Sequence, residues 1–236
     1  MGLSFDTRMS ESPWISTVWT SRSEQVTAMT AVASETWGLV FWEEGGTPRA
    51  AVVGPESCTA IAPVPPDTSF LGVQFALGTS LRMADMATLV DGDIPLPDVS
   101  AKTFWLDGRR WHTPGSDDVE VWVDRLVRHG ALMQDPVVAG VLRGDRPPLS
   151  PRTVERRFRA ATGLTRGAVR QISRVRTAAD MLTGGVPVAD VVARCGYYDE
   201  PHLARALRRF VGRSAQELRS GIGGAIALDP AQYSTS

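Results

Sequence analysis

The sequence predicts an α+β protein: a β-rich domain over residues 1–114, an all-α domain over 115–221 and a flexible tail over 222–236. Three observations predict it. Apolar residues alternate in a strand-like way up to about residue 75, then follow a helical period beyond residue 150. The charge reverses sign near residue 146, and the basic part that follows repeats itself at an offset of 49 residues, the difference between 163 and 212.

A chain of 236 residues that is 43% hydrophobic can bury a real core, and its length suits two modest domains. No window holds eighteen consecutive apolar residues, and the opening MGLSFDTRMSESPW lacks the basic-then-apolar layout of a secretory signal. A cytoplasmic location is therefore expected, with no membrane among the partners. Cys58 and Cys195 are far apart in segments of opposite character, so reduced thiols are expected.

In the first domain, strands are expected at Trp14 to Trp19, Trp37 to Trp42, Ala50 to Gly54, Cys58 to Ala62 and Phe70 to Phe75. Glu43-Glu44-Gly45-Gly46 closes a hairpin, and APVPPD at 62–67 makes a rigid connection. Leu81 to Val90 reads as helix, Lys102 to Leu106 as extended chain, and Asp117 to Arg128 as a helix with Val119, Trp122, Val123 and Leu126 inward. All seven tryptophans lie at or before Trp122. Two readings stay open for Trp37, Trp42, Trp105 and Trp111: an aromatic-lined ligand pocket, or packing in the core or a dimer face, which is how large aromatics ordinarily supply buried area. His112 and His129 stand alone in this half, and no HxH pair, GxSxG, phosphate-cradling loop or CxxC occurs. No metal, cofactor or enzymatic activity is expected.

Residues 1–146 carry 11 basic and 19 acidic side chains, whereas 147–221 carry 14 arginines and 6 acids. A balance of −8 against +8 points to a polyanion partner for the basic part, since cationic fields bind phosphate through counterion release. A solvated basic helical surface would show the same count.

The repeat narrows that choice. Val154 falls on Leu203, Arg156 on Arg205, Phe158 on Leu207, Arg159 on Arg208, Gly163 on Gly212 and Thr165 on Ser214. In the first copy Val154, Phe158 and Ala161 form one apolar stripe of a helix that Ser150 caps, Pro151 starts and Gly163 stops. Arg152, Arg156 and Arg159 then project from the opposite side, with Thr153 on one flank. In the second copy Leu203, Leu207 and Phe210 form the stripe, while Arg205 and Arg208 point outward with His202 and Arg209 alongside. Val186 to Arg194 reads as a short support helix, and Cys195 to Asp199 as a glycine turn into the next helix: the grammar of a helix-turn-helix. Ile172, Val175, Ala179 and Leu182 mark an amphipathic linker helix between the copies, ending at Gly184-Gly185.

LSPRTVERRFRAATGLT, Leu149 to Thr165, and CGYYDEPHLARALRRFVGRSAQEL, Cys195 to Leu218, resemble the two reading helices and following turns of AraC/XylS-family transcription regulators, a likeness covering about 75 residues, roughly 147–221. The resemblance implies base or phosphate contacts from Arg152, Thr153 and Arg156 in the first helix, and from Glu200, His202 and Arg205 in the second. It also implies a cupin-like β fold for the N-terminal domain. The sequence departs from the family pattern where Leu142 to Pro148 separates the first support helix, placed at Pro136 to Leu142, from its reading helix, and again at Val192 and Ala215. The DPVVAGVLRG approach and RQISR linker are similar to an actinobacterial subgroup, in keeping with 24 arginines against the single Lys102.

The function expected is sequence-specific binding of double-stranded DNA that modulates transcription. Further candidate partners are RNA polymerase, a small-molecule effector and a second copy of the chain. The alternative is a signal-responsive protein whose basic helices engage RNA or a protein. The deep, narrow major groove of double-stranded RNA disfavours its RNA form, since side chains cannot read it.

Overall fold

A computed structural model describes residues 3–24 and 28–221; the expected tail at 222–236 lies outside them. The first half is built of β1 (Leu3–Met9), β2 (Ile15–Ser23), β3 (Ala28–Ala31), β4 (Gly38–Glu44), β5 (Thr47–Val53), β6 (Ala60–Pro63), β7 (Ser69–Phe75), β8 (Thr79–Leu81), β9 (Asp93–Pro95), β10 (Thr103–Leu106) and β11 (Arg109–His112). After them come α1 (Val119–Arg128), β12 (Leu132–Gln134) and α2 (Pro136–Leu142). The remainder is helical: α3 (Pro151–Thr162), α4 (Arg166–Thr183), α5 (Val188–Arg194), α6 (Glu200–Phe210) and α7 (Ala215–Ser220).

Six strands form an antiparallel sheet in the order β1-β2-β7-β4-β5-β9, and β3 pairs β6 in a separate ribbon. Gly45 and Gly46 both take positive φ between Glu44 and Thr47, the two-residue turn that matches strand twist. Register places Leu39 opposite both Val52 and Val73, and Phe41 opposite Ala50, so these side chains share one face. That face is buried beneath α1, where Trp122 meets the rings of Phe41 and Phe104 at centroid separations of 6.0 and 6.1 Å. Arg8 on the edge strand β1 donates to both carboxylate oxygens of Glu120, at 2.5 and 3.0 Å, and ties α1 to the sheet. These bonds hold the Glu120 carboxyl down at about 2.

One sequence expectation changes, and the edge strand β1 stands outside the sequence expectations. Residues 82–90 form successive turns instead of a helix. Asp85 accepts the Ala87 N–H and the Thr88 N–H returns to the Asp85 carbonyl, while Asp91 takes a positive φ; the helical spacing of apolar residues reflects separate burial of Met86 and Leu89. The edge strand β1 carries no alternating apolar signal to announce it. The inward side chains of α1 lie in the first core, and β12 pairs with β8.

The second core gathers Phe158, Ile172, Val175, Leu182, Leu203, Leu207 and Leu218 from both helical units, and it also takes in Val32 and Ala33 of the first half. No helix among the described residues is long and apolar enough to cross a membrane.

Candidate nucleic-acid interface

The first unit is α2 and α3. Pro136 starts α2, and Asp135 caps it by accepting from the N–H groups of Val137 and Val138 at 2.8 and 3.4 Å. The same carboxylate receives Arg157 of α3 through two parallel bonds of 2.7 and 2.8 Å. Partial burial pushes the Asp135 carboxyl up, but Arg157 and the two backbone N–H groups outweigh it and hold it below the usual carboxylate range. The connection departs from a tight turn because Leu142 to Pro148 loops back: Asp145 donates its N–H to the Gly140 carbonyl, and its side chain packs on the bare Gly140 Cα, where a Cβ would come within 3.0 Å.

In α3, Ser150 accepts the Thr153 N–H and Gly163 ends the helix at φ +78°. Val154, Phe158 and Ala161 are buried, as the stripe requires. Arg152, Arg156 and Arg159 are exposed on the other side and carry no ion pair among the described residues, whereas Thr153 is half-buried beside the Ser150 hydroxyl at 2.9 Å. The neighbouring arginines are already engaged: Arg157 with Asp135, and Arg166 with Glu155 at 2.9 Å.

The second unit follows the same plan. Gly196 turns the chain at φ +66°, and Asp199 caps α6 by accepting the His202 N–H at 2.7 Å. Leu203, Leu207 and Phe210 are buried; Glu200, Arg205, Arg208 and Arg209 are exposed. The His202 ring is half-buried, edge-on to Tyr197 at 5.2 Å. Arg205 is free of ion pairs among the described residues, as its counterpart Arg156 is. Arg208 pairs with Glu217 at 3.2 Å, and the Arg209 guanidinium lies 4.9 Å from the Phe210 ring centre, so these two are partly committed within the fold. Between the units α4 runs for 18 residues, about 27 Å, with Ile172, Val175, Ala179 and Leu182 all buried. Arg174 of α4 stacks over the Tyr197 ring at 4.5 Å and fixes the second turn to it.

Two exposed apolar residues stand outside the sequence expectations. Tyr198 is 90% exposed and Leu149 is 40% exposed. They lie 49 residues apart, each immediately before the cap of its reading helix, and the repeat itself is the signal that could have singled them out.

The four tryptophans divide. Trp37 and Trp111 lie in the first core with their Nε1–H groups given to the carbonyls of Thr79 and Leu106, at 2.7 and 3.0 Å. Trp42 and Trp105 alternate with the core residues Phe41 and Phe104, so they leave the other face of their strands; Trp42 stacks on Phe70 and Trp105 sits under Arg110. The structure does not bring the four together around one space.

What this geometry defines is a pair of cationic helices, each supported by a shorter one and joined by a rod. Residues 146–221, about a third of the chain, match the family model of a helix-turn-helix domain. That match, of AraC type, supports a DNA-binding transcription regulator. No curated protein and no solved structure matches the chain significantly.

Proposed function

We propose that the chain is a sequence-specific regulator of transcription that lays α3 and α6 into two successive major grooves of duplex DNA. The observation that carries this reading is the repeated face: each unit buries an apolar stripe and leaves an arginine with no ion pair among the described residues, Arg156 or Arg205, at the same position on the far side. A guanidinium so presented suits bidentate bonding to guanine, while the flanking groups suit phosphate contacts. Arg152, Thr153 and Arg159 serve the first groove beside Arg156; Glu200 and His202 serve the second beside Arg205. Arg208 and Arg209 act at its edge as phosphate contacts, and Leu149 and Tyr198 lie against the sugar-phosphate backbone at the entry of each helix. On this reading the protein works in the cytoplasm beside RNA polymerase, without enzymatic activity, and an effector or a second copy acts on it through the N-terminal domain.

Selection from random duplexes with the purified full-length protein tests the reading. The expected result is a two-part motif whose halves are centred about 10–10.5 base pairs apart, one helical turn. Recovery of unenriched sequence would reject it.

A further inference from the structure

The two glycines that end the reading helices do more than stop them. Gly163 and Gly212 are equivalent in the repeat, and both press a bare Cα against the N-terminal domain. A Cβ on Gly163 would stand 2.4 Å from the Met86 carbonyl oxygen and 2.8 Å from Val90 Cγ2. On Gly212 it would stand 2.9 Å from Thr59 Oγ1 and 3.1 Å from Thr30 Cγ2. Each glycine also has positive φ, +78° and +77°, so both positions exclude a side chain twice over.

Around the second contact the chain is joined by backbone hydrogen bonds. The Ala33 N–H donates to the Phe210 carbonyl at 2.8 Å, and the Thr59 N–H to the Arg209 carbonyl at 3.0 Å. Arg176 of the linker helix adds a bond to the Ala33 carbonyl at 3.1 Å. Around the first contact, Gly78 packs on Val138 and Leu142 of α2, and Leu77 and Val90 pack against the helical core. Gly163, Gly212 and the carbonyls of Arg209 and Phe210 sit at the ends of the reading helices away from the caps at Ser150 and Asp199.

Within the helical part, α3 is held to α4 across the short turn at Leu164-Thr165 by the Arg166–Glu155 pair and by side chains of the second core, and hinge freedom between the two units is confined to that turn. A second span between the same bodies closes a ring and removes that freedom. We propose that the N-terminal domain is this second span: it positions α3 relative to α6, and thereby sets which separation of DNA half-sites the protein accepts. Met86, Val90, Thr59 and Ala33 are thus positioning residues for recognition, although none faces DNA. The inference rests on the DNA-binding reading only for its consequence, since the ring itself is a property of the free protein.

The test therefore has two arms. Spin labels are placed at the exposed positions Ala160 and Ala204 as A160C and A204C, in a C58S/C195A background. Pulsed dipolar spectroscopy of the full-length protein without DNA should give one narrow distance distribution. T59W with V90E, which press on the second and first contacts, should broaden it; R176Q, a milder change that removes the Ala33 bond, should broaden it less. A distribution that stays narrow in properly melting variants would overturn the proposal, because α4 alone would then fix the units. In the second arm, half-sites are moved apart by about 5 base pairs, half a turn. The unaltered protein should lose at least about tenfold in affinity, the worth of one good base contact, and T59W/V90E should lose less than about threefold. Equal spacing preference in both proteins would also overturn the proposal. Absence of any DNA binding would instead reject the underlying reading and leave the first arm to decide the ring.

Discussion

Arg157 grips the carboxylate of Asp135 through two parallel hydrogen bonds while that same carboxylate caps α2, so one side chain both starts the support helix and fixes the reading helix to it. The arrangement explains how the first unit holds together with a long connection between its helices. Asp135→Ala removes the cap and the pair together. It should destabilise the protein by about 1–2 kcal/mol, most of it from the lost cap, since a half-exposed ion pair contributes little. Arg157→Ala should cost less than Asp135→Ala, by the same reasoning. Denaturant melts of both variants check the order, and a larger loss for Arg157→Ala would contradict it.

Glu56 supplies a pH dependence. Burial, with Asp91 nearby, pushes its carboxyl up from an ordinary 4.5 to about 7, against the pull of Arg176. The folded state then holds its proton more tightly than the unfolded state does, so stability is highest below about pH 4.5 for this group and falls as pH rises to about 7. Above that the loss is complete. Glu56→Gln keeps the shape without the charge, and its melting temperature should exceed that of the unaltered protein by a margin that opens across this window and stays constant above it. A margin independent of pH between 4.5 and 8 would refute the assignment.

The two kinds of positive-φ glycine separate experimentally. At Gly144, with φ +94°, an added Cβ would meet nothing within 4 Å, while at Gly163 it would collide with the Met86 carbonyl. Gly144→Ala should cost only the backbone strain, about 1–2 kcal/mol. Gly163→Ala carries the same strain plus displacement of Met86 and Val90, and should lower the melting temperature clearly further. Equal shifts would mean that the N-terminal contact yields without resistance.

The helical half was legible because its signals are local. The cap at Ser150, the stops at Gly163 and Gly184, and stripes such as Val154, Phe158 and Ala161 fall where the pattern places them. Strands β4, β5 and β7 were legible for the same reason, each a short apolar run between turn residues. What local pattern could not carry was the partner of each buried face. Val119, Trp122, Val123 and Leu126 announce an amphipathic helix, but nothing in them says that they pack beneath the sheet instead of joining the helices that follow. Arg208 looks like Arg205 in sequence, and only the fold sets Glu217 beside it. The contacts of Ala33 and Thr59 with the end of α6 are made largely by backbone, which residue types do not record.

The central claim, that two matched arginines read DNA, is tested most directly by titrating the full-length protein, Arg156→Ala and Arg205→Ala on the selected operator and on a scrambled duplex, across a range of salt. Each substitution should cost about 1–3 kcal/mol on the operator and much less on the scrambled site, narrowing discrimination. The unaltered protein should lose affinity with a log–log salt slope of roughly −5 to −9, as expected for six to ten phosphate contacts. Equal losses on both duplexes would make these arginines phosphate contacts without a reading role, and an affinity unaffected by salt would contradict DNA binding by this surface.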